Sequence, residues 1–131
     1  MIRRLALAAL ILIVVVGCRS AREEPAHASL AANMAEMEQH MNQLFRHIDQ
    51  PEKLPELHAA TVRMLQLQTA STDLAPGRDS QRIRQFKLRS QQAVDIMLQL
   101  QNKLKKGQLD QAREQLLILD RKRRECHSIF G

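Results

Sequence analysis

The stretch LAANMAEMEQHMNQLFRHI, residues 30–48, decides how the chain folds. Leu30, Met34, Met37, Met41, Leu44 and Ile48 recur in it at alternating steps of four and three. That spacing places six apolar side chains along one face of an α-helix, as a helix buried along one stripe requires. Ser29 stands where an N-cap belongs, and Asp49-Gln50-Pro51 supplies a stop. Working outward, the same period returns three times. Leu54, Leu57, Thr61, Met64 and Leu65 give an inner face to a second helix over 54–70, with Pro55 tolerable only in its first turn. Residues 71–80, with Pro76-Gly77, form the longest loop. A third helix, 81–105, carries Ile83, Phe86, Ser90, Ala93, Val94, Met97, Leu100 and Leu104, and ends on Lys105-Lys106-Gly107. A fourth, 109–129, carries Leu109, Ala112, Leu116, Leu119, Arg123, Cys126 and Phe130. No segment alternates with the period of a strand. Four amphipathic helices with short first and third connections predict an all-α fold, an antiparallel up-down-up-down four-helix bundle over residues 30–131.

The N-terminus reads differently. Arg3 and Arg4 precede an unbroken apolar run, Leu5–Val16, which is shorter than the ~20 residues a membrane-spanning helix needs. It ends in Val15-Val16-Gly17-Cys18, which resembles the lipobox of bacterial lipoproteins. Residues 1–17 are thus expected to be a lipoprotein-type signal peptide, with lipidation at Cys18 as the membrane anchor. Residues 18–29, which carry Pro25 and no apolar stripe, are expected to be a tether. The expected location is the periplasm, lipid-anchored to the membrane. The outer membrane is favoured because Arg19, rather than an Asp, follows the cysteine.

Composition narrows the chemistry. The 131 residues hold 20 Lys and Arg against 14 Asp and Glu. Losing Arg3 and Arg4 with the leader leaves 18 against 14, a mature net charge of +4. There is no Trp or Tyr, and the three Phe are not interleaved with a basic stripe, so nucleic acid is not an expected partner. No Ser-His-Asp set, glycine-rich phosphate loop or carboxylate pair stands out, and no enzyme is expected. Glu36, His40 and His47 lie at helical spacings that could hold a metal. Transition-metal sites usually need three or four ligands, so a solvated face is the ordinary expectation for them.

The up-down-up-down topology brings Met34, one turn into the first helix, to the level of His127, one turn from the end of the fourth. A thioether and an imidazole facing each other across an apolar core can hold a haem iron from both sides. Arg121-Lys122-Arg123-Arg124 could grip haem propionates, an acidic redox partner or anionic lipid, although cations closing a helix C-terminus are the ordinary explanation.

Over roughly its last hundred residues the chain resembles the cytochrome b562 family. Asn33-Met34, followed by Met37 and Met41, is similar to the family's first-helix motif. Phe86 falls at a haem-packing Phe, and Lys105-Lys106-Gly107-Gln108-Leu109 is similar to the turn into the fourth helix. Arg123-Arg124-Glu125-Cys126-His127 is similar to the family's ending, and the register from Phe86 to His127 needs no gap. Ser90 stands where a second Phe would pack the ring. The resemblance implies a periplasmic electron-transfer protein that binds haem b through Met34 and His127. Met37, Met41, Phe86, Leu119 and Phe130 would form walls, and Arg123 would lie near the haem edge. A redox partner protein, of unknown identity, is implied. The alternative expectation is a haem-free helical envelope lipoprotein acting as an interaction or stress-related binding module.

Cys126 directly precedes His127, as the second cysteine does in a C-x-x-C-H haem attachment, but Arg123 occupies the first position. A single thioether to haem through Cys126 is one expectation. A packed apolar thiol is the favoured one.

Overall fold

The computed structural model describes residues 29–130; the expected leader, the expected lipidation at Cys18 and the expected tether up to Ala28 lie outside them. The described residues form four α-helices and no strand: α1 (Leu30–His47), α2 (Leu54–Ser71), α3 (Ser80–Lys105) and α4 (Leu109–Phe130). A 3-10 turn, Pro51–Lys53, leads into α2. The all-α four-helix bundle expected from the periodicity is the observed fold.

Local chemistry sets the helix ends. Ser29 caps α1, its hydroxyl accepting a hydrogen bond from the Ala32 N–H at 3.1 Å. Asp79 does the same for α3, accepting from the Gln81 N–H at 2.9 Å, so that helix begins at Ser80. Pro55 sits within the first two positions of α2, where its missing N–H costs nothing. The α3–α4 turn closes on Gly107 at φ +69°. There the Gln108 N–H donates to the Lys103 carbonyl at 2.9 Å and the Gly107 N–H to that of Leu104 at 3.0 Å. This terminator needs a left-handed residue, which only glycine adopts without strain.

The core divides along the bundle axis. At the end where α1 and α3 finish and α2 and α4 begin, it is made of Leu44, Ile48, Leu57, Leu100, Leu104, Ala112 and Leu116, all buried. Asp49, just past α1, pairs there with Arg113 of α4. At the other end the fill is Met37, Met41, Met64, Leu67, Phe86, Met97 and Leu119, together with buried polar groups. Asn33 Nδ2 donates to Ser71 Oγ at 3.0 Å, and Ser71 Oγ donates to the Leu67 carbonyl at 2.7 Å, tying the start of α1 to the end of α2. Gln68 Nε2 donates to Ser90 Oγ at 2.7 Å, and Ser90 lies 2.6 Å from the Thr72 hydroxyl, tying α2 to α3. On the surface, Arg63 of α2 grips Glu36 of α1 through both carboxylate oxygens, at 2.6 and 3.0 Å. This contact, the nearby Arg63 charge and His40 hold the Glu36 carboxyl below its usual range.

Successive helices pack closely along their length, whereas α1 and α4 meet only weakly. The bundle is therefore zipped on three sides and loose on the fourth.

Leu100 has no exposed surface, and Leu88 on the same helix is half exposed. Leu100→Ala is expected to cost about 2–5 kcal/mol of unfolding free energy, the transfer cost of the lost side chain plus the cavity it leaves. Leu88→Ala is expected to stay within about 0.5 kcal/mol of wild type. Chemical denaturation followed by circular dichroism measures both.

Candidate functional site: a methionine-lined cleft

At the end where α1 begins and α4 finishes, the core opens into a cleft. It holds about 750 Å³ of space free of atoms, its mouth included. All four helices line it. Met34, Met37 and Met41 come from one face of α1, and Met64 and Gln68 from α2. Phe86, Ser90, Ala93 and Met97 come from α3, and Leu119, Arg123, Cys126 and His127 from α4.

The arrangement gathers the residues singled out from the sequence. Met34 and His127 stand on α1 and α4, which meet only weakly, and both line the cleft. Met34 is half-buried against the core, while His127 is largely exposed. The imidazole is thus reachable without disturbing the packing. Met37, Met41 and Phe86 are buried walls. Leu119 closes the floor on α4.

Phe130 is the exception. It was expected as a wall, but it does not line the cleft. Its ring meets the edge of Phe86 at a centroid distance of 5.3 Å and an interplanar angle of 88°, and the Arg82 guanidinium lies 5.2 Å from its centre. Phe130 supports Phe86 from behind and pins the end of α4 to α3. Glu36 and His40 lie 3.6 Å apart on the outer surface, where Arg63 is the nearer partner of the carboxylate. Among the described residues no three His, Cys, Asp or Glu side chains gather as a metal cluster.

Several lining residues were not marked as site residues by the sequence. Met64 and Met97 lie on heptad stripes and read as core. Gln68, one turn beyond Met64, interrupts its stripe, and this polar residue at a core position was the available signal. Arg89 carried no signal in the sequence; its position depends on how α3 and α4 meet.

The rim is cationic. Arg89, Lys122 and Arg123 line the cleft with Glu38 as the only carboxylate. Asp120 accepts from Arg123 at 3.0 Å and pairs with Arg124 at 2.9 Å. Glu125 pairs with Lys122 at 3.4 Å and Arg89 at 3.9 Å. Four cations thus share two carboxylates, and the mouth retains a positive excess suited to an anionic group. Ser90, where the family resemblance called for aromatic packing, is bound by Gln68 and Thr72 and makes that part of the wall polar.

Cys126 is a free, half-buried thiol on the cleft wall. Burial pushes its pKa above the ordinary thiol value, and Arg89 pulls weakly the other way. The neutral thiol is the favoured form, in keeping with a packed sulfur.

No protein-family model, no curated protein and no solved structure matches the chain. Among the described residues no helix is long and apolar enough to cross a membrane.

Because folding raises the Cys126 pKa, the thiolate that attacks an alkylating reagent is scarcer in the folded chain than in the unfolded one. Iodoacetamide should label Cys126 more slowly in buffer than in urea at the same pH. The gap should narrow only at pH values above the ordinary thiol pKa. Equal rates in the two states, followed by mass spectrometry of the C-terminal peptide, would contradict this placement.

Proposed function

We propose that this chain is a haem-binding electron-transfer protein of the bacterial envelope, built on the cytochrome b562 plan and held to the membrane by lipid on Cys18. One observation carries the reading. Met34 and His127, on the two helices whose seam is loose, line the same cleft, whose walls are otherwise largely apolar.

The residues present fit a haem b group. Met34 would offer a thioether and His127 an imidazole, a pairing that favours reduced iron and raises the potential. Met37, Met41, Phe86, Met97 and Leu119 would cover the apolar ring, and Arg123, Arg89 and Lys122 would meet carboxylates at the mouth. When bound, the haem supplies the one-electron chemistry; the protein supplies burial, ligands and charge. Burying the group among thioethers and aliphatic carbons excludes water. The exposed His127 side leaves one edge close to the surface, where a redox partner can approach. The positive excess at the mouth favours an acidic partner face. Ser90 and Gln68 make this cleft less aromatic than the family pattern, so Met34, His127 and the cationic rim carry more of the binding. Cys126 is read as a packed neighbour of the group, so the haem should leave the polypeptide on acid–organic extraction.

Titration of the full chain in detergent with haemin, followed by dithionite reduction, tests this. A 1:1 complex with a sharp, reduction-sensitive absorption band is expected. Met34→Ala should keep the complex but lower its reduction potential. His127→Ala should weaken binding by about tenfold or more, about 1.4 kcal/mol at least, because imidazole is the stronger ligand. No complex, or two variants with wild-type spectra, would remove the reading.

A further inference from the structure

Met34, Met37, Met41, Met64 and Met97 are all the methionines of residues 29–130, and every one lines the cleft. The opposite end of the same core contains none; Leu44, Ile48, Leu57, Leu100, Leu104 and Leu116 fill it. Methionine and leucine occupy similar volumes and exchange in cores at little cost, so packing alone does not sort them to opposite ends. What distinguishes them is the polarizable sulfur. To the five thioethers α4 adds a thiol, Cys126, and an imidazole, His127, on the facing wall.

This donor set is selective. Thioether and thiol sulfur are soft ligands, matched to Cu(I). Zinc, calcium and magnesium call for carboxylates, thiolates or several imidazoles, and no cluster of three such groups is found among the described residues. Arg89, Lys122 and Arg123 on the cleft wall raise the cost of bringing in a dication and penalise a monovalent ion least. The thioethers and the neutral imidazole bind without losing a proton, whereas Cys126 binds as the thiolate, so its proton passes to solvent as the ion enters.

We propose that this end of the bundle binds one Cu(I) ion through the thioethers of Met34 and Met37 together with Cys126 and His127. Met34 and Met37 lie three residues apart on one helix face, at the level where α4 ends. Met41 continues their row toward the leucine end. The site shares Met34 and His127 with the haem-binding reading but does not depend on it; the two ligands would exclude one another.

The test is an anaerobic titration of the full chain in detergent against the coloured Cu(I)–bicinchoninate complex. One equivalent should pass from the chelator to the wild-type chain, and excess Zn(II) should not displace it. Met34→Leu combined with Met37→Leu conserves core volume. With its helical circular dichroism unchanged, it should weaken Cu(I) binding at least tenfold, and His127→Ala should weaken it as well. The proposal is overturned if the chelator keeps the copper, if zinc displaces it, or if the double leucine variant binds as tightly as wild type. The last result would place the ion on Cys126 or the N-terminal segment alone. A chain that takes Cu(I) but no haem would support this site and remove the haem reading. One that takes haem but leaves Cu(I) with the chelator would do the reverse.

Discussion

An antiparallel bundle of four helices has four seams to close, and this one closes three. Consecutive helices are joined by short connections and pack along their length, but α1 and α4, the first and last in the chain, meet only weakly. At the leucine end the aliphatic core and the Asp49–Arg113 pair hold the bundle together. At the other end flexible methionines, a serine and a glutamine stand where branched aliphatic side chains would have drawn the helices in. The cleft is the consequence, and it puts the start of α1 opposite the end of α4.

That unequal packing divides the labour along the axis. Leu44, Leu57, Leu100 and Leu116 are fully buried and each contributes on the order of 1.5–3 kcal/mol of apolar transfer free energy. They give the fold its stability without taking part in the site. The methionine end gives up some of that density. Its buried polar groups are paired instead: Asn33 to Ser71, and Gln68 to Ser90. The Gln68–Ser90 bond fixes one wall of the cleft and the Asn33–Ser71 bond ties α1 to α2, while the α1–α4 side stays loosely packed.

Much of this was readable in the sequence because heptad spacing is a local signal. The stripe from Met34 to Ile48, the Ser29 cap, the first-turn Pro55 and the Gly107 terminator each depend on a few neighbouring residues, and each stands where the spacing predicted. The level shared by Met34 and His127 followed from topology alone. Contacts that cross between helices were less legible. Helix spacing marked Leu65 as inward, yet Leu67 and Gln68 are the buried residues and Leu65 is only partly covered. Phe130 sits on the inward stripe of α4, but that helix's last turn lies beside Phe86 and Arg82 rather than over the cleft. Arg89 reaches the rim only because α3 and α4 pack so closely there. Such details depend on the rotation of one helix against its neighbour, which no single helix encodes.

The central claim is that Met34 and His127 hold one haem between them in this cleft. Proton NMR of the haem-loaded, reduced protein tests it most directly, because a thioether methyl held against the iron sits over the ring face and is shifted far upfield by the ring current. The account predicts one such three-proton resonance, present in wild type and in Met37→Leu and absent in Met34→Ala. A haem-loaded protein without that resonance, or one that keeps it in Met34→Ala, would contradict the account.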